Sequence, residues 1–168
     1  SGRCCHPKDT ARLLPRLIHF IFGLRPQPGA GEFGLHHWLA LRSAARHHSQ
    51  HRLVLWHAHV PQEPNPWWEA ATRLAEPVRV PVPETVLGAR LHHHAHRADV
   101  LRLQILLEHG GIYLDMDTLV LGDFSRLHVT DAAMGLELNP FTLRPEGMCN
   151  AVILARPRSS FLHRWLDT

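Results

Sequence analysis

The sequence has few cysteines, a single tyrosine, no long apolar run and no large excess of charge of one sign. Cys4 and Cys5 are adjacent and Cys149 stands alone, and this odd, unspaced set argues against a disulfide framework and against a zinc ribbon. No stretch approaches the roughly 20 consecutive apolar residues that span a bilayer. Lysine and arginine form no runs with interleaved aromatic residues, so nucleic acid is not an expected partner.

The remaining composition is that of an ordinary globular domain. Hydrophobic residues make up 45% of the chain and charged residues 20%, and its 168 residues suffice for one domain with a hydrophobic core but hardly for two. The formal charge is +3 with 16 histidines counted as neutral. A basic surface favours anionic partners such as nucleotide diphosphates, although a solvated surface rich in arginine explains the same composition.

The order of the predicted elements indicates an α/β fold. Residues 1–14 are expected to form a flexible lead-in and residues 15–168 a single domain. Short apolar runs predict strands at 17–22, 53–56, 78–82, 112–114, 118–121, 132–138 and 151–155. Helical periodicity and capping residues predict helices at 35–47, from 66 to before 77, at 93–109 and from 160 onward. Strands that alternate with helices predict a mostly parallel sheet flanked by helices.

The helix predicted at 93–109 carries charged residues on two sides. At about 100° per residue, one stripe forms the natural solvent face: Arg97, Gln104 and Glu108. Asp99 and Arg102, three residues apart, project together on roughly the opposite side. Charges on a face that a helix should bury are costly unless they are paired or hydrated. They form either a buried pair that fixes packing or part of a polar cleft that binds a ligand, and the motif that follows favours the cleft.

Two aspartates follow the strand predicted after this helix, in the sequence Asp115-Met116-Asp117. A spacing of two puts both carboxylates on one side of an extended chain, and like charges so close favour a divalent cation beside them. Oxygen ligands suit Mg²⁺ or Mn²⁺, which keep open positions for phosphate oxygens. A bare Asp-x-Asp is more often a solvated turn. Here it stands at the carboxyl end of a strand, where ligands of open α/β sheets collect, so we predict a metal and phosphate site.

These segments together resemble a known family. Ala98-Asp99-x-x-Arg102, followed by Gly110-Gly111-Ile112-Tyr113-Leu114-Asp115-x-Asp117, is similar to the signature of glycosyltransferases with a DXD-containing sugar-binding region. Relatives in that family include fungal Golgi α-mannosyltransferases, animal lactosylceramide α-galactosyltransferases and, more distantly, the clostridial glucosylating toxins. Residues 15–23 resemble the first strand of the family, and residues 150–155 resemble a strand downstream of the motif.

The resemblance implies a GT-A (Rossmann-like) fold and a retaining enzyme that moves a hexose from a nucleotide diphosphate sugar to a glycan, glycolipid or protein acceptor. It implies that Asp117 ligates Mn²⁺ or Mg²⁺ directly, and that Asp115 contacts the ribose and the hydration shell of the metal. Asp99 and Arg102 would hold hydroxyl groups of the donor sugar. Phe22 would stack near the nucleobase, at a position where tryptophan is more typical. The metal would neutralise charge on the departing diphosphate.

Members of the family usually continue beyond the point at which this sequence ends, so we expect the domain to be incomplete at its C-terminal end. A truncated, non-catalytic module that binds a nucleotide sugar is therefore the alternative function. A metal-dependent phosphohydrolase that uses Asp115 and Asp117 is a third candidate, which would need more metal ligands than the sequence offers. No membrane anchor is visible, and the compartment stays open: the Golgi lumen would suit a eukaryotic member and the cytoplasm any other.

Several other residues have a possible chemical role and a simpler explanation. The histidines at 92–94 and 96 could bind Zn²⁺, but polar residues are expected at the start of a helix. His19 lies in an apolar strand and is expected to be a core histidine with hydrogen-bonded ring nitrogens. Trp67 and Trp68 are expected to pack, although an exposed tryptophan could contact a sugar. Cys149 has no identifiable base partner. Three residues could face the acceptor or belong to ordinary surface: Glu137, Asn139 and Glu146.

Overall fold

Eight strands and four α-helices form the part of the chain that the structure describes, which in the computed structural model comprises residues 14–26, 32–128 and 130–168. The strands are β1 (Leu17–Phe22), β2 (Arg52–His57), β3 (Ala75–Arg79), β4 (Thr85–Val86), β5 (Ala89–Arg90), β6 (Gly111–Leu114), β7 (Ala132–Leu138) and β8 (Pro145–Ala155). The helices are α1 (Leu35–His47), α2 (Pro66–Thr72), α3 (His94–His109) and α4 (Ser160–Leu166), and a 3₁₀ turn spans Ser125–Leu127. None of these helices is both long and apolar enough to cross a bilayer.

Six of the strands form one mixed sheet in the order β3-β2-β1-β6-β8-β7. β1, β2, β3 and β6 run parallel, whereas β8 is antiparallel to both β6 and β7. β4 and β5 form a separate hairpin. The predicted α/β fold with a mostly parallel sheet is confirmed, and the ends of β3, β2, β1 and β6 form the carboxyl edge at which ligands of such sheets usually bind.

Apolar side chains cover both faces of the sheet, as is usual where parallel strands are buried. On one face Ile18 of β1 belongs to a buried cluster that includes Leu41 of α1. On the other face Ile21 of β1 and Tyr113 of β6 belong to a second cluster, which includes Leu106 of α3. The chain that leaves β6 therefore starts between the layer of α1 and the layer of α3.

Two adjacent glycines make the sharp change from α3 to β6. Gly110 has φ +63° and Gly111 has φ +107°, values that residues with a side chain rarely adopt. A Cβ atom on Gly110 would lie 2.4 Å from Pro157 Cδ, and one on Gly111 would lie 2.6 Å from the Leu17 carbonyl oxygen. The predicted end of the helix is thus confirmed. β6 begins at Gly111, directly after this turn, and lies between β1 and β8 in the sheet.

His19 of β1 is a core histidine, as the sequence predicted. It is 1% exposed, and its Nε2 donates to the Gly110 carbonyl over 2.9 Å. Its Nδ1 accepts a hydrogen bond of 3.1 Å from the Trp56 indole nitrogen. Burial lowers the pKa of His19 to about 4, against the effect of its bond to Gly110. Both ring nitrogens are hydrogen-bonded in the neutral ring. Protonation of Nδ1 would therefore place its N–H group against the N–H group of Trp56.

The third strand begins earlier than the sequence predicted. β3 starts at Ala75 and contains Pro77, instead of spanning 78–82, and α2 ends at Thr72. Proline cannot donate to a sheet ladder, which is why it usually excludes a central strand. β3 is an edge strand, and its free side has no ladder that Pro77 could interrupt. The predicted helix–strand boundary is therefore wrong.

Residues 118–121 form a loop and not the predicted strand. The Asp115 carbonyl accepts from both the N–H and the hydroxyl group of Thr118, at 3.1 and 2.7 Å, which closes a turn. The N–H of Val120 then donates to the Ser43 hydroxyl of α1 over 3.0 Å instead of to a neighbouring strand. Val120 is 5% exposed, but Leu119 and Leu121 are 59% and 88% exposed, so a single residue of the apolar run reaches the core.

The start of the domain is also corrected at one residue. Leu14, predicted to end the flexible lead-in, is 4% exposed and belongs to the core cluster on the α1 face. Its N–H donates to the His128 carbonyl over 3.1 Å. The rest of the predicted lead-in, with Cys4 and Cys5, lies outside the described residues.

Candidate functional site

The two aspartates of the motif lie in a turn at the carboxyl end of β6. The N–H of Asp115 donates to the Ala151 carbonyl of β8 over 2.8 Å, which extends the sheet pairing by one residue. The bonds from Thr118 to the Asp115 carbonyl then turn the chain at Met116 and Asp117. The carboxylates therefore follow a strand end, as predicted, but they are carried by a turn and not by an extended segment.

Arg102 lies at the centre of a polar cluster beside this turn. Its side chain is 7% exposed, with Nη2 3.1 Å from Asp99 Oδ1 and Nη1 3.2 Å from Asp115 Oδ1. Nη1 also donates to the Asn150 carbonyl over 2.7 Å, and the guanidinium carbon lies 4.6 Å from the centre of the Tyr113 ring. Such pairing is what makes a buried charge tolerable. Three residues predicted to share a cleft are thus brought together: Asp99, Arg102 and Asp115.

Tyr113 belongs to the motif, but no signal in the sequence singles it out as a site residue. Its hydroxyl donates to Asp115 Oδ1 over 2.7 Å, and the residue is 2% exposed. Burial raises the pKa of Tyr113 well above its ordinary value, although the nearby Arg102 guanidinium opposes this effect. The hydroxyl group therefore stays protonated and remains a donor to Asp115.

Asn150 closes the cluster from β8, and sequence patterns place it only in a strand. Its Nδ2 donates to Asp99 Oδ1 over 2.9 Å, while its carbonyl accepts from Arg102. It thus contacts both members of the ion pair on α3. The pairing of β6 with β8, in which Leu114 lies opposite Val152, brings Asn150 beside the helix. A polar residue at the head of the apolar run 151–155 is the one signal that could have indicated it.

Asp117 differs from Asp115 because no hydrogen bond or ion pair joins its side chain to another described residue. It is exposed, and its charge acts on His37 of α1. Burial, and to a smaller extent the adjacent His36, lower the pKa of His37 to about 4, while the charge of Asp117 acts in the opposite direction. The Asp117 carboxylate is therefore available to bind a cation, whereas the Asp115 carboxylate is already bonded to Tyr113 and Arg102.

Phe22, predicted to stack near a nucleobase, ends β1 at the carboxyl edge but is 7% exposed. Its ring centre lies 4.9 Å from that of Phe33, 5.1 Å from that of His37 and 6.1 Å from that of Trp68. These neighbours cover most of the ring, so a base could contact little of its surface in this arrangement.

An open cavity of about 450 Å³ lies at the same edge, where β2 and β3 end. It is lined by residues at or just beyond the ends of β1, β2 and β3: Pro26, His57, Ala58, His59, Val60, Gln62 and Arg79. His57 is 9% exposed, and its Nδ1 has no hydrogen-bond partner. The cavity also presents the cationic Arg79 side chain and the Gln62 amide to a ligand at the carboxyl edge.

The carboxylates of Asp115 and Asp117 fit a metal ion that takes most of its ligands from elsewhere. Oδ1 of Asp115 holds the contacts with Tyr113 and Arg102, and no described residue bonds to its Oδ2. Within the described ranges, residues 92–96 included, no three histidine, cysteine or acidic side chains are grouped so that they could hold a metal. Mg²⁺ is commonly bound by one or two carboxylates plus phosphate oxygens and water. The pair suits that type of site.

Comparison with known proteins connects these residues to a family. The family described as the glycosyltransferase sugar-binding region containing DXD motif matches residues 36–134, a span that includes α3, β6 and the two aspartates. Glucan organizing enzyme 1 of Cryptococcus neoformans var. grubii is 36% identical over 167 residues, which cover 95% of this chain and 45% of that protein. The chain thus spans less than half the length of this relative.

Solved structures with low sequence identity share the fold. The PaToxG glycosyltransferase superimposes with a TM-score of 0.60 at 15% identity, over 93% of this chain and 59% of that one. The apo form of the glycosyltransferase GlyE from Streptococcus pneumoniae gives a TM-score of 0.53 at 18% identity, over 91% of this chain and 38% of that one. At such identities the likeness concerns the fold alone, and it confirms the predicted GT-A architecture.

Proposed function

The chain belongs to the family of glycosyltransferases whose sugar-binding region contains a DXD motif, and we propose that it binds a nucleotide diphosphate sugar together with a divalent metal ion. The proposed reaction moves a hexose from this donor to a glycan, glycolipid or protein acceptor, with retention of anomeric configuration. The alternative is a module that binds the nucleotide sugar without transferring it. Both functions use the same donor site, and they differ in what happens to the bound sugar.

The balance of charge at the carboxyl end of β6 carries the proposal. Asp99, Asp115 and Asp117 bring three carboxylates to this region, whereas Arg102 is the cation that pairs with the first two. One guanidinium against three carboxylates leaves two negative charges, which would repel a diphosphate. A divalent cation removes this repulsion, and it also compensates the charge on the diphosphate itself.

In the proposed site Asp117 and the free oxygen of Asp115 hold Mn²⁺ or Mg²⁺, and the diphosphate supplies further oxygen ligands. The bound metal would neutralise charge on the departing nucleotide diphosphate. Asp99 and Arg102 hold hydroxyl groups of the donor sugar, and Asp115 also contacts the ribose. Asp99 suits this role because its side chain is 41% exposed, even though one of its oxygens is bonded to Arg102 and Asn150.

The nucleoside is proposed to lie at the same edge of the sheet, near the ends of β1 and β2. The open cavity next to His57 and Arg79 gives it room. Phe22 stays the predicted contact for the base, although it is 7% exposed and packs against Phe33 and Trp68, so only a small part of its ring is accessible. This arrangement differs from the flat stacking that tryptophan would provide at the same position.

Calorimetry with UDP and GDP tests the donor site. The full chain should bind one of the two nucleotides in the presence of Mn²⁺ and lose that binding when the metal is chelated. Asp117→Ala should lower the affinity at least tenfold, because one charge-assisted contact is worth about 1.5–3 kcal/mol. Asp167→Ala is the matched control, since Asp167 is exposed at the end of α4 and carries the same charge. Equal affinities for the two variants would show that Asp117 holds no metal.

Nucleotide release from the corresponding sugar donor separates the enzyme from the binding module. Release that increases when a glycan, glycolipid or protein acceptor is added, with the hexose on the product, supports transfer. A product that keeps the anomeric configuration of the donor supports retention, and an inverted product would contradict it. Tight binding of the donor with no release under any acceptor supports the module. Hydrolysis of simple phosphate esters at a comparable rate would favour the phosphohydrolase instead.

A further inference from the structure

Three histidine rings meet at the amino edge of the sheet, opposite to the edge that carries the motif. His48 follows the last residue of α1, His51 precedes β2 and His128 follows the 3₁₀ turn. The ring centre of His51 lies 4.9 Å from that of His48 and 5.5 Å from that of His128. These three residues, the amino-edge histidine cluster, connect the end of α1 and the start of β2 with the 3₁₀ turn.

The polar atoms of this cluster are buried without partners. Nε2 of His48, Nε2 of His128 and both ring nitrogens of His51 are inaccessible, and no described residue forms a hydrogen bond with any of them. Buried polar groups are almost always hydrogen-bonded, so four unpaired nitrogens in one cluster need a physical explanation. A metal site does not provide it, because no three histidine, cysteine or acidic side chains of the described residues are grouped so that they could hold a metal ion.

The charges around the cluster are mostly positive. An open cavity of about 400 Å³ lies beside it, and the titratable residues that line this cavity outside the cluster are Arg16, His47 and Asp123. The acidic member of this set already accepts from the Ser125 N–H over 2.8 Å. Burial, followed by the charges of its histidine neighbours and of Arg16, lowers the pKa of His51 to about 4. The pKa of His48 is also lowered, first by burial, and Asp123 acts in the opposite direction.

The cluster holds a short segment that has few buried contacts. All three residues of the 3₁₀ turn Ser125–Leu127 are exposed. Before this turn, the Phe124 ring stacks on the His48 ring at 5.1 Å. After it, the His128 carbonyl accepts from the Leu14 N–H over 3.1 Å. A segment with so few buried contacts can open at a much lower free energy than the whole domain.

We propose that the amino-edge histidine cluster is an acid-sensitive switch, in which protonation separates the three rings and releases the 3₁₀ turn while the sheet stays folded. Protonated rings at these distances carry like charges that repel each other in a partly buried site. In the open segment water can solvate the same charges. An open His51 ring has its ordinary pKa of 6.5, against about 4 in the closed cluster, so the open state binds the proton first and opening is favoured as the pH falls from 6.5 toward 4.

The switch would act on the segment that leaves the motif turn. Residues 118–128 run along α1, where the Val120 N–H donates to the Ser43 hydroxyl and Phe124 stacks on His48. Release of the 3₁₀ turn removes the second of these attachments and leaves the first. The inference does not depend on the proposed donor site, because it concerns only the opening of this segment.

Hydrogen exchange of single amides, measured by NMR on the full chain at pH 7 and pH 5, tests the switch. The Leu14 N–H, bonded to the His128 carbonyl, and the Leu127 N–H, bonded to the Phe124 carbonyl, report on the segment. The amide of Phe20 in β1 reports on the sheet. After correction for the intrinsic exchange rate, the opening constants at Leu14 and Leu127 should rise about 20-fold from the protonation of His51 alone. At pH 5 they should exceed the opening constant at Phe20 by at least about tenfold.

Three substitutions identify the groups that respond to acid. His51→Phe keeps a ring between the other two but cannot bind a proton, so the rise at Leu14 and Leu127 should be at least about tenfold smaller than in the parent. His128→Phe gives a second test from the other side of the cluster and should also reduce the rise. His92→Phe, the same change at an exposed position before α3, should behave like the parent.

Two results would overturn the inference. A rise in both His51→Phe and His128→Phe as large as that of the parent would show that protons bound elsewhere open the segment. Equal opening constants at the segment and at Phe20 at pH 5 would show that acid unfolds the domain as one unit, so that the cluster is no separate switch.

Discussion

Replacement of Arg102 by methionine tests how far a single buried guanidinium holds the polar cluster together. Methionine keeps an apolar stem of similar length but removes the ion pairs to Asp99 and Asp115 and the 2.7 Å bond to the Asn150 carbonyl. Breaking a buried pair by removing one partner costs about 3–5 kcal/mol. Water can reach both carboxylates, whose side chains are 41% and 29% exposed. We therefore expect a loss near the lower limit, about 3 kcal/mol.

Urea and thermal unfolding measure this loss. In a chain of this size 1 kcal/mol shifts the melting temperature by about 2–4 °C, so Arg102→Met should melt about 6–12 °C below the parent. The urea midpoint should fall without a change of slope. Arg42→Met, the same change at an exposed position of α1, should stay within about 0.5 kcal/mol of the parent. A midpoint for Arg102→Met equal to that of Arg42→Met would refute the view that the guanidinium stabilises the cluster.

Two further predictions concern buried rings. Tyr113→Phe keeps the ring beside Arg102 but removes the donor to Asp115, so it should cost about 2 kcal/mol in urea unfolding and weaken Mn²⁺-dependent nucleotide binding; unchanged values of both would contradict the role of the hydroxyl. The pKa of His19 is about 4 in the folded state and near 6.5 in the unfolded state, so the unfolded state binds the proton first as the pH falls. The stability that the neutral ring contributes above pH 6.5 should therefore be lost as the pH falls toward 4. The free energy of unfolding of the parent should fall by about 3 kcal/mol from this group over that pH range. Urea unfolding at several pH values should show a correspondingly smaller fall for His19→Gln, and an equal fall in both proteins would assign the effect to other groups.

The parts of the site carried by α3 could be predicted because local signals determine them. Gly110 ends the helix, and the angle of about 100° per residue alone places Asp99 and Arg102 on one face. The cap of α2 is equally local, since the Asn65 side chain accepts from the Trp68 N–H at the start of that helix. Each of these predictions depends on residues within one or two turns of helix, so no knowledge of the rest of the chain is needed.

The parts that could not be predicted depend on contacts between distant segments. Asn150 contacts Asp99 because β8 pairs antiparallel with β6. The apolar pattern of β8 predicts a strand, but it determines neither the direction nor the register of that strand. The loop at 118–121 has the apolar run of a strand, yet the Val120 N–H donates to Ser43 of α1, a residue distant in the sequence. Phe22 ends β1 as predicted, but its cover by Phe33 depends on how the segment before α1 folds back.

The buried guanidinium indicates a role beyond stability. Well-packed apolar residues often replace a buried ion pair without loss of stability, and α3 already packs through Leu101, Leu103 and Leu106. What Arg102 adds is a fixed position for one oxygen of Asp115, which leaves the other oxygen out of every hydrogen bond among the described residues. A carboxylate held in this way presents one oxygen in a constant direction, as a metal or ribose ligand must. Arg102→Met should therefore bind the nucleotide in the presence of Mn²⁺ more weakly than the parent, even at a temperature where the variant is fully folded. Parent-like affinity at that temperature would show that the guanidinium contributes to packing and stability alone.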